Sequence, residues 1–205
     1  MTLPEDIRQH FNRRAAHYDN PVTAFIGERE LRLIRKLVPR GSTVLDYGCG
    51  TGRTTIDLLR RGCCVTAFDI SQEMIRLAES RAGQLGFSAE FTTDADQLAG
   101  RVWPLVTCIG VLDYYVDTQP LLELLGSYLA LGGRLIVTYP NALSPLGWAY
   151  ALGSRFHFPV IPHTPHYARQ VAFRSGLQSI RLGYAFPAIP FLGHTLVIEM
   201  AKSAQ

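Results

Sequence analysis

Apolar and polar positions repeat along the chain with two periods. Helical spacing puts Ile7, Phe11, Ala15 and Tyr18 on one face of a first segment, which Pro21 is expected to end. A second helix is expected over residues 23–38, with Phe25, Leu31, Ile34 and Leu37 as core positions and Pro39 as its stop. Short apolar runs then read as buried strands: Val44–Tyr47, Cys63–Asp69, Ala89–Thr92 and a fourth within Val102–Val111. Helical stretches separate them. One runs from about Arg53 to Arg61 and stops at Gly62; a second is capped by Ser71 and turns Met74, Ile75 and Ala78 inward. A third opens near Pro120 and carries Leu121, Leu122, Leu124, Leu125 and Leu129, after which Gly132-Gly133 is expected to turn into a fifth strand, Leu135–Tyr139. Strands alternating with helices argue for an α/β fold around a mainly parallel sheet.

Beyond residue 139 the pattern changes. Prolines stand at 140, 145, 159, 162 and 165, around a short helix expected over 146–154. Thr164-Pro165 combines a cap with proline at the first helical position, so a helix is expected from there to about Ser175, ended by Gly176. Two final strands are expected at about 178–185 and 195–201, separated by the proline- and aromatic-rich Phe186–Leu192.

Length adds that these elements form a single domain, since 205 residues divided between two cores would leave each small. Apolar residues make up 47% of the chain against 18% charged, which argues against extended disorder. No apolar run reaches the roughly 18–20 residues of a membrane-spanning helix, and MTLPEDIRQHFNRR lacks the apolar stretch of a signal peptide, so a cytoplasmic location is expected. Cys49, Cys63, Cys64 and Cys108 form no CxxC pair and read as reduced thiols. The net charge of +3 is unevenly spread. Residues 1–123 hold 14 basic and 16 acidic side chains, whereas 124–205 hold six basic residues and one acid, Glu199.

The most informative segment is Val44-Leu45-Asp46-Tyr47-Gly48-Cys49-Gly50-Thr51-Gly52, between an expected strand and an expected helix. Alternating glycines remove Cβ atoms where backbone must approach a ligand, and the helix behind offers unpaired N–H groups. A dinucleotide fingerprint needs a third glycine at 53 or 55, and those positions are Arg53 and Thr55. An acid followed by G-x-G-x-G suits S-adenosylmethionine instead. Asp46 would then favour the cationic amino group. Asp69, ending the second strand, would accept the ribose hydroxyl hydrogens, with Ile70 against the adenine face. Asp94 would accept the adenine amino hydrogen beside the Ala95 backbone; capping a short helix is the alternative role for Asp94.

With FNRRAAHYD, VLDYGCGTG, FDIS, DADQL, CIGVLDYYVD and LLELLGSYLALGGRLIVTYPN in that order, the chain resembles class I S-adenosylmethionine-dependent methyltransferases, in particular small-molecule enzymes similar to quinone and magnesium-protoporphyrin methyltransferases. The resemblance implies a Rossmann-like, seven-stranded, mainly parallel sheet with helices on both faces and the last strand antiparallel. It places Gly48, Gly50, Gly52, Asp69, Asp94 and Ala95 at cofactor positions, Tyr18 over the methionine end, and Ile109 with Gly110 near the transferable methyl. It divides the single domain 1–205 into leading helices (1–40), a cofactor-binding core (41–139), a substrate lid (140–176) and final strands (177–205). Many quinone-type members carry histidine or glutamate where Asp113 stands, so no catalytic role is given to Asp113. The motifs of adenine, cytosine-N and cytosine-C5 methyltransferases are missing after strand four, where Gly110-Val111-Leu112-Asp113 stands, and no basic run exists, so nucleic acid is not expected as a partner.

The expected partner is a small acceptor that is apolar, anionic or both, because 124–198 contains no carboxylate and 139–191 holds 10 of the 21 aromatic residues. Peripheral membrane contact through 140–195 extends the same idea. Methyl transfer from a sulfonium relies on in-line positioning, and a base is required only for a hydroxyl or carbon acid. O-methylation is favoured. Candidate bases are His157, His163, His166 and His194; His163 and His166 are put forward first, and no metal is expected at their three-residue spacing. A cofactor-binding protein without turnover and an NAD-dependent oxidoreductase remain the alternatives.

Overall fold

The computed structural model describes residues 3–19, 21–154, 159–187, 189 and 192–202. Helices α1 (Leu3–Arg14) and α2 (Pro21–Leu37) lead into alternating strands and helices: β1 (Thr43–Tyr47), α3 (Arg53–Arg60), β2 (Cys64–Phe68), α4 (Gln72–Gln84), β3 (Glu90–Thr92), β4 (Trp103–Cys108), α5 (Gln119–Ser127) and β5 (Leu129–Pro140). Helices α6 (Pro145–Ser154) and α7 (Pro165–Arg174) and strands β6 (Leu177–Ala185) and β7 (Thr195–Lys202) complete the chain. The sheet has seven strands in the order β3-β2-β1-β4-β5-β7-β6. The strands from β3 to β5 pair in parallel, and β7 is antiparallel to both β5 and β6. The expected sheet, with its antiparallel last strand, is therefore present.

Both faces of the sheet are covered. Leu122, Leu125, Ala168 and Val171 from α5 and α7 pack on one side with Leu45, Val106 and Leu135. Leu31, Ile34, Leu58 and Ile75 from α2, α3 and α4 pack on the other with Val44, Leu105 and Ile136. The continuous apolar runs of the sequence are strands buried from both sides, as parallel sheets require. Local capping agrees with the sequence. Ser71 Oγ accepts from Met74 N at 3.2 Å and Thr164 Oγ1 from Tyr167 N at 3.1 Å.

Three expectations are corrected. Pro21 does not end the first segment but opens α2, where its missing N–H is not needed. Phe25 is 45% exposed rather than in the core. At roughly 100° per residue it lies opposite the stripe made by Leu31, Ile34 and Leu37; its ring instead meets Phe186 edge-on at 4.9 Å with the Arg29 guanidinium over it. Gly132-Gly133 is a bulge inside β5, not a turn before it: Trp103 pairs with Leu129 and Leu105 with Arg134, so the intervening residues of β5 loop out, Leu131 being 92% exposed. Leu129 thus belongs to β5 and not to the preceding helix.

Candidate functional site

The parallel strands end together at one edge of the sheet, and a cavity of about 300 Å³ opens there. Gly48, Gly50, Asp69, Ile70, Ile109 and Gly110, from the ends of β1, β2 and β4, form its floor; Ile7, Phe11 and Tyr18 from the first segment close it above. That roof is tied to α4. Asn12 Oδ1 accepts from Ser71 Oγ at 2.7 Å, and Arg81 pairs with Asp19.

The glycine loop is strapped to β2: Gly48 N and Cys49 N both donate to the Phe68 carbonyl, at 2.7 and 2.9 Å. Its glycines do different work. A Cβ on Gly50 (φ +54°) would meet nothing within 4 Å, so its bare face looks onto open space at the cavity. A Cβ on Gly52 (φ +86°) would stand 2.9 Å from Ala78 Cβ, and one on Gly48 2.2 Å from Val111 Cγ2. Gly52 therefore lets α4 approach the loop, while Gly50 leaves room for a ligand. Asp69 spans the opening, accepting from Gly50 N at 2.8 Å through Oδ2 and from Ser71 N at 2.9 Å through Oδ1. Burial raises its pKa to about 6 against the pull of those two N–H donors. At neutral pH it is a carboxylate whose oxygens keep lone pairs for further donors.

A second, small cavity of about 50 Å³ adjoins the first, and Tyr18, Gly110 and Tyr114 line both. Its other walls come from five separate parts of the chain: Glu30 and neighbours on α2, Arg53 on α3, Asp113 after β4, Tyr150 on α6 and His194 before β7. His194 Nδ1 is 2.7 Å from Thr195 Oγ1, which in turn donates to Glu30 Oε1 at 2.9 Å. Since the threonine hydrogen goes to the carboxylate, His194 donates from Nδ1 and Nε2 carries a lone pair. Nε2 is buried with no hydrogen-bond partner among the described residues, and so is Asp113 Oδ1. Burial pushes His194 down to about 4; burial and then the charge of Glu30 push Asp113 up to about 8.

A family model described as a methyltransferase domain matches residues 39–156. The chain belongs to the methyltransferase domain family. Among curated relatives, ubiquinone biosynthesis O-methyltransferase of Xylella fastidiosa (strain 9a5c) is 29% identical over 162 residues, 77% of this chain and 63% of the relative. The Coxiella burnetii (strain Dugway 5J108-111) protein of the same name is 25% identical over 158 residues, 73% of this chain and 63% of the relative. The chain thus spans about 63% of the length of these curated relatives. Among solved structures, magnesium protoporphyrin IX methyltransferase from Synechocystis PCC 6803, with bound SAH, superimposes with a TM-score of 0.74 at 22% identity, covering 98% of this chain and 100% of that one. That likeness shows the shared fold.

The residues of this methyltransferase domain fit S-adenosylmethionine on their own geometry. Gly50 leaves an unfilled cradle, Asp69 is a buried acceptor beside it, and the apolar side chains Ile70, Ile109 and Tyr18 reach the same space. The remaining expected site residues lie elsewhere. Asp46 is 1% exposed and both its oxygens are taken, by Thr55 Oγ1 at 2.6 Å and Thr107 Oγ1 at 2.8 Å; it joins β1 to α3 and β4 rather than facing the cavity. Asp94 and Ala95 are exposed outside both cavities, and Asp94 caps its own turn by accepting from Asp96 N at 3.0 Å. His163 is buried under Tyr167, stacked at 4.5 Å, and its Nε2 donates to the Tyr115 carbonyl at 2.9 Å. That nitrogen has no lone pair to offer a substrate. His166 is exposed on α7, and neither histidine lines either cavity. His157, Arg155, Phe156 and Phe158 lie outside the described residues. Among the described residues of the expected lid over 140–176, Tyr150 alone lines either cavity, and that is the smaller one; the larger is roofed by α1 and the turn after it. Sequence reasoning passed over Glu30 and Thr195, which share no motif and meet only in the fold, and placed Tyr150 only among the aromatics of the expected lid.

Proposed function

We propose that the protein is an S-adenosylmethionine-dependent methyltransferase acting on the hydroxyl of a small, largely apolar acceptor. The observation that carries this reading is Gly50, whose open face adjoins the buried Asp69 carboxylate in a cavity with mostly apolar walls. Asp69 holds hydroxyl groups of the bound cofactor, and Ile70 and Ile109 pack against its apolar parts. When bound, S-adenosylmethionine supplies a methyl group on a good leaving group. The chain's task is then to orient the acceptor and exclude water, which well-positioned systems turn into roughly 7–11 kcal/mol of barrier lowering. The roof of Phe11 and Tyr18 serves water exclusion. The names of the curated relatives favour a phenolic, quinone-type acceptor and O-methylation. Incubation with methyl-labelled S-adenosylmethionine and alkyl catechols tests the reading: base-stable label in the catechol product is expected, and cofactor binding without any transfer would favour a binding protein instead.

Trp148 and Leu152, both exposed and four residues apart on one side of α6, support peripheral contact with a membrane that holds such acceptors. Flotation with phosphatidylglycerol-containing liposomes checks it, with weaker binding expected for the Trp148→Ser/Leu152→Ser variant.

A further inference from the structure

A chain of hydrogen bonds beside the smaller cavity runs from His194 through Thr195 to Glu30. His194 stands at the wall shared with Tyr150, whose ring meets it edge-on at 4.8 Å. Thr195 can serve both neighbours at once, accepting from His194 Nδ1 and donating to Glu30. The chain of bonds therefore fixes the tautomer and leaves a lone pair on Nε2, the ring nitrogen without a hydrogen-bond partner among the described residues. Glu30 is itself buried, and Arg53 Nη2 lies 3.6 Å from its second oxygen. A buried polar atom without a partner costs stability, and two residues that carry such atoms, His194 at Nε2 and Asp113 at Oδ1, line one pocket beside the larger cavity. A pocket of about 50 Å³ has room for the polar end of a molecule and not its body.

We propose that His194, oriented by Thr195 and Glu30, is the catalytic residue that removes the proton from the acceptor's hydroxyl, with Asp113 binding the same end of the acceptor. The inference rests on the methyl-transfer reading for its reaction, and deepens it by naming the base. The balance is simple. The acceptor O–H bond breaks and its proton goes to His194 Nε2; the oxygen's electron pair forms the new bond to the methyl carbon, and the carbon–sulfur pair leaves with sulfur. The imidazolium keeps its Nδ1 hydrogen bond to Thr195, which donates to the Glu30 carboxylate, and Nε2 releases the extra proton to water after product release. The titratable groups that line the pocket with His194 are Tyr18 and Tyr114 from the roof and the post-β4 turn, Glu30 from α2, Arg53 from α3, Asp113 and Tyr150. Burial holds Tyr18 and Tyr114 above their ordinary range, so they stay neutral. Because burial also keeps His194 uncharged down to about pH 4, its lone pair is available at neutral pH.

Two readouts test the relay. In the first, 4-nitrocatechol is titrated into the protein with no cofactor, and its visible absorption reports the hydrogen bonding of its hydroxyl. Wild-type protein is expected to bind it with a red-shifted absorption as that hydroxyl donates to His194 Nε2, and His194→Gln to abolish that shift. In the second, methyl transfer to an alkyl catechol is compared with transfer to an aromatic thiol, which ionises without help. General-base removal is worth roughly 10²–10⁴-fold, so His194→Gln is expected to lower the oxygen-to-sulfur ratio by about 10²-fold or more. Thr195 is a positioning residue: Thr195→Val should lower kcat on the catechol with little change in KM, and Thr195→Ser should restore it. Equal oxygen-to-sulfur ratios in wild type and His194→Gln would overturn the relay while leaving the methyltransferase reading intact. A His194-dependent nitrocatechol shift without any methyl transfer would do the reverse. No spectral shift in the wild type at millimolar nitrocatechol would also overturn the relay.

Discussion

The two cavities are neighbours built by opposite strategies. The larger is made of consecutive local pieces, a glycine loop after β1 and an acid after β2, and its walls are mostly apolar. The smaller draws Glu30, Asp113, Tyr150 and His194 from elements up to about 165 residues apart, as the Thr195–Glu30 hydrogen bond shows, and it concentrates buried titratable groups. The first kind of site needs backbone shape, which a short motif encodes. The second needs pKa values displaced by burial, which only the packed fold provides. A methyl donor shared by many enzymes fits the first strategy; an acceptor particular to one enzyme fits the second.

The sharpest way to break the comparison is to fill the cradle. Gly50→Val puts a branched side chain into the open space beside Gly50, and is expected to weaken S-adenosylmethionine binding by more than about 100-fold, read by calorimetry. The left-handed backbone at Gly50 adds about 1–2 kcal/mol of strain, so a folded far-UV spectrum is part of the measurement. Gly52→Ala should behave differently. Its Cβ would press on Ala78, so about 2 kcal/mol of stability is expected to go, lowering Tm by several degrees. The protein that remains folded should bind the cofactor within a fewfold of wild type. If the two glycine variants lost affinity and stability in parallel, the division of labour within the loop would be wrong.

The pH dependences separate the cavities further. Asp69 accepts with both oxygens, and with full charge, only when ionised, so cofactor affinity is expected to hold above its pKa of about 6 and to fall as pH drops through that value. Asp113 gives the opposite limb. It is protonated below about 8, and ionisation above that value puts a second carboxylate near Glu30. kcat/KM for a catechol should therefore decline as pH rises through about 8, and Asp113→Asn should remove that decline. The smallest effect belongs to His166→Ala, an exposed position outside both cavities, where kcat is expected to stay within about twofold of wild type.

How much of this was legible in the sequence follows the same division. VLDYGCGTG announced the loop, and Asp69 and Ile70 fell at the cavity because strand ends in a parallel sheet share one edge. Asp46 sits in the same motif yet turns inward to two threonines, since a residue within a strand alternates faces and only hydrogen-bond partners from α3 and β4 decide what it meets. The histidines show the limit most clearly. His163, His166 and His194 all fall in the carboxylate-free half of the chain, but their roles depend on which ring nitrogen is occupied: His163 spends Nε2 on a carbonyl, whereas His194 keeps its Nε2 unbonded by donating through Nδ1. Phe25 was misplaced for a related reason, because the phase of a helix is set by its whole apolar stripe and not by one large residue.

Calorimetric titration of S-adenosylmethionine into wild-type protein and Asp69→Ala at pH 7.5 tests the central claim most directly. One cofactor per chain is expected to bind the wild type. Hydrogen bonds to a carboxylate contribute about 1.5–3 kcal/mol each, so Asp69→Ala should bind about 10- to 100-fold more weakly. No binding to the wild type, or equal affinity in the two proteins, would contradict the account.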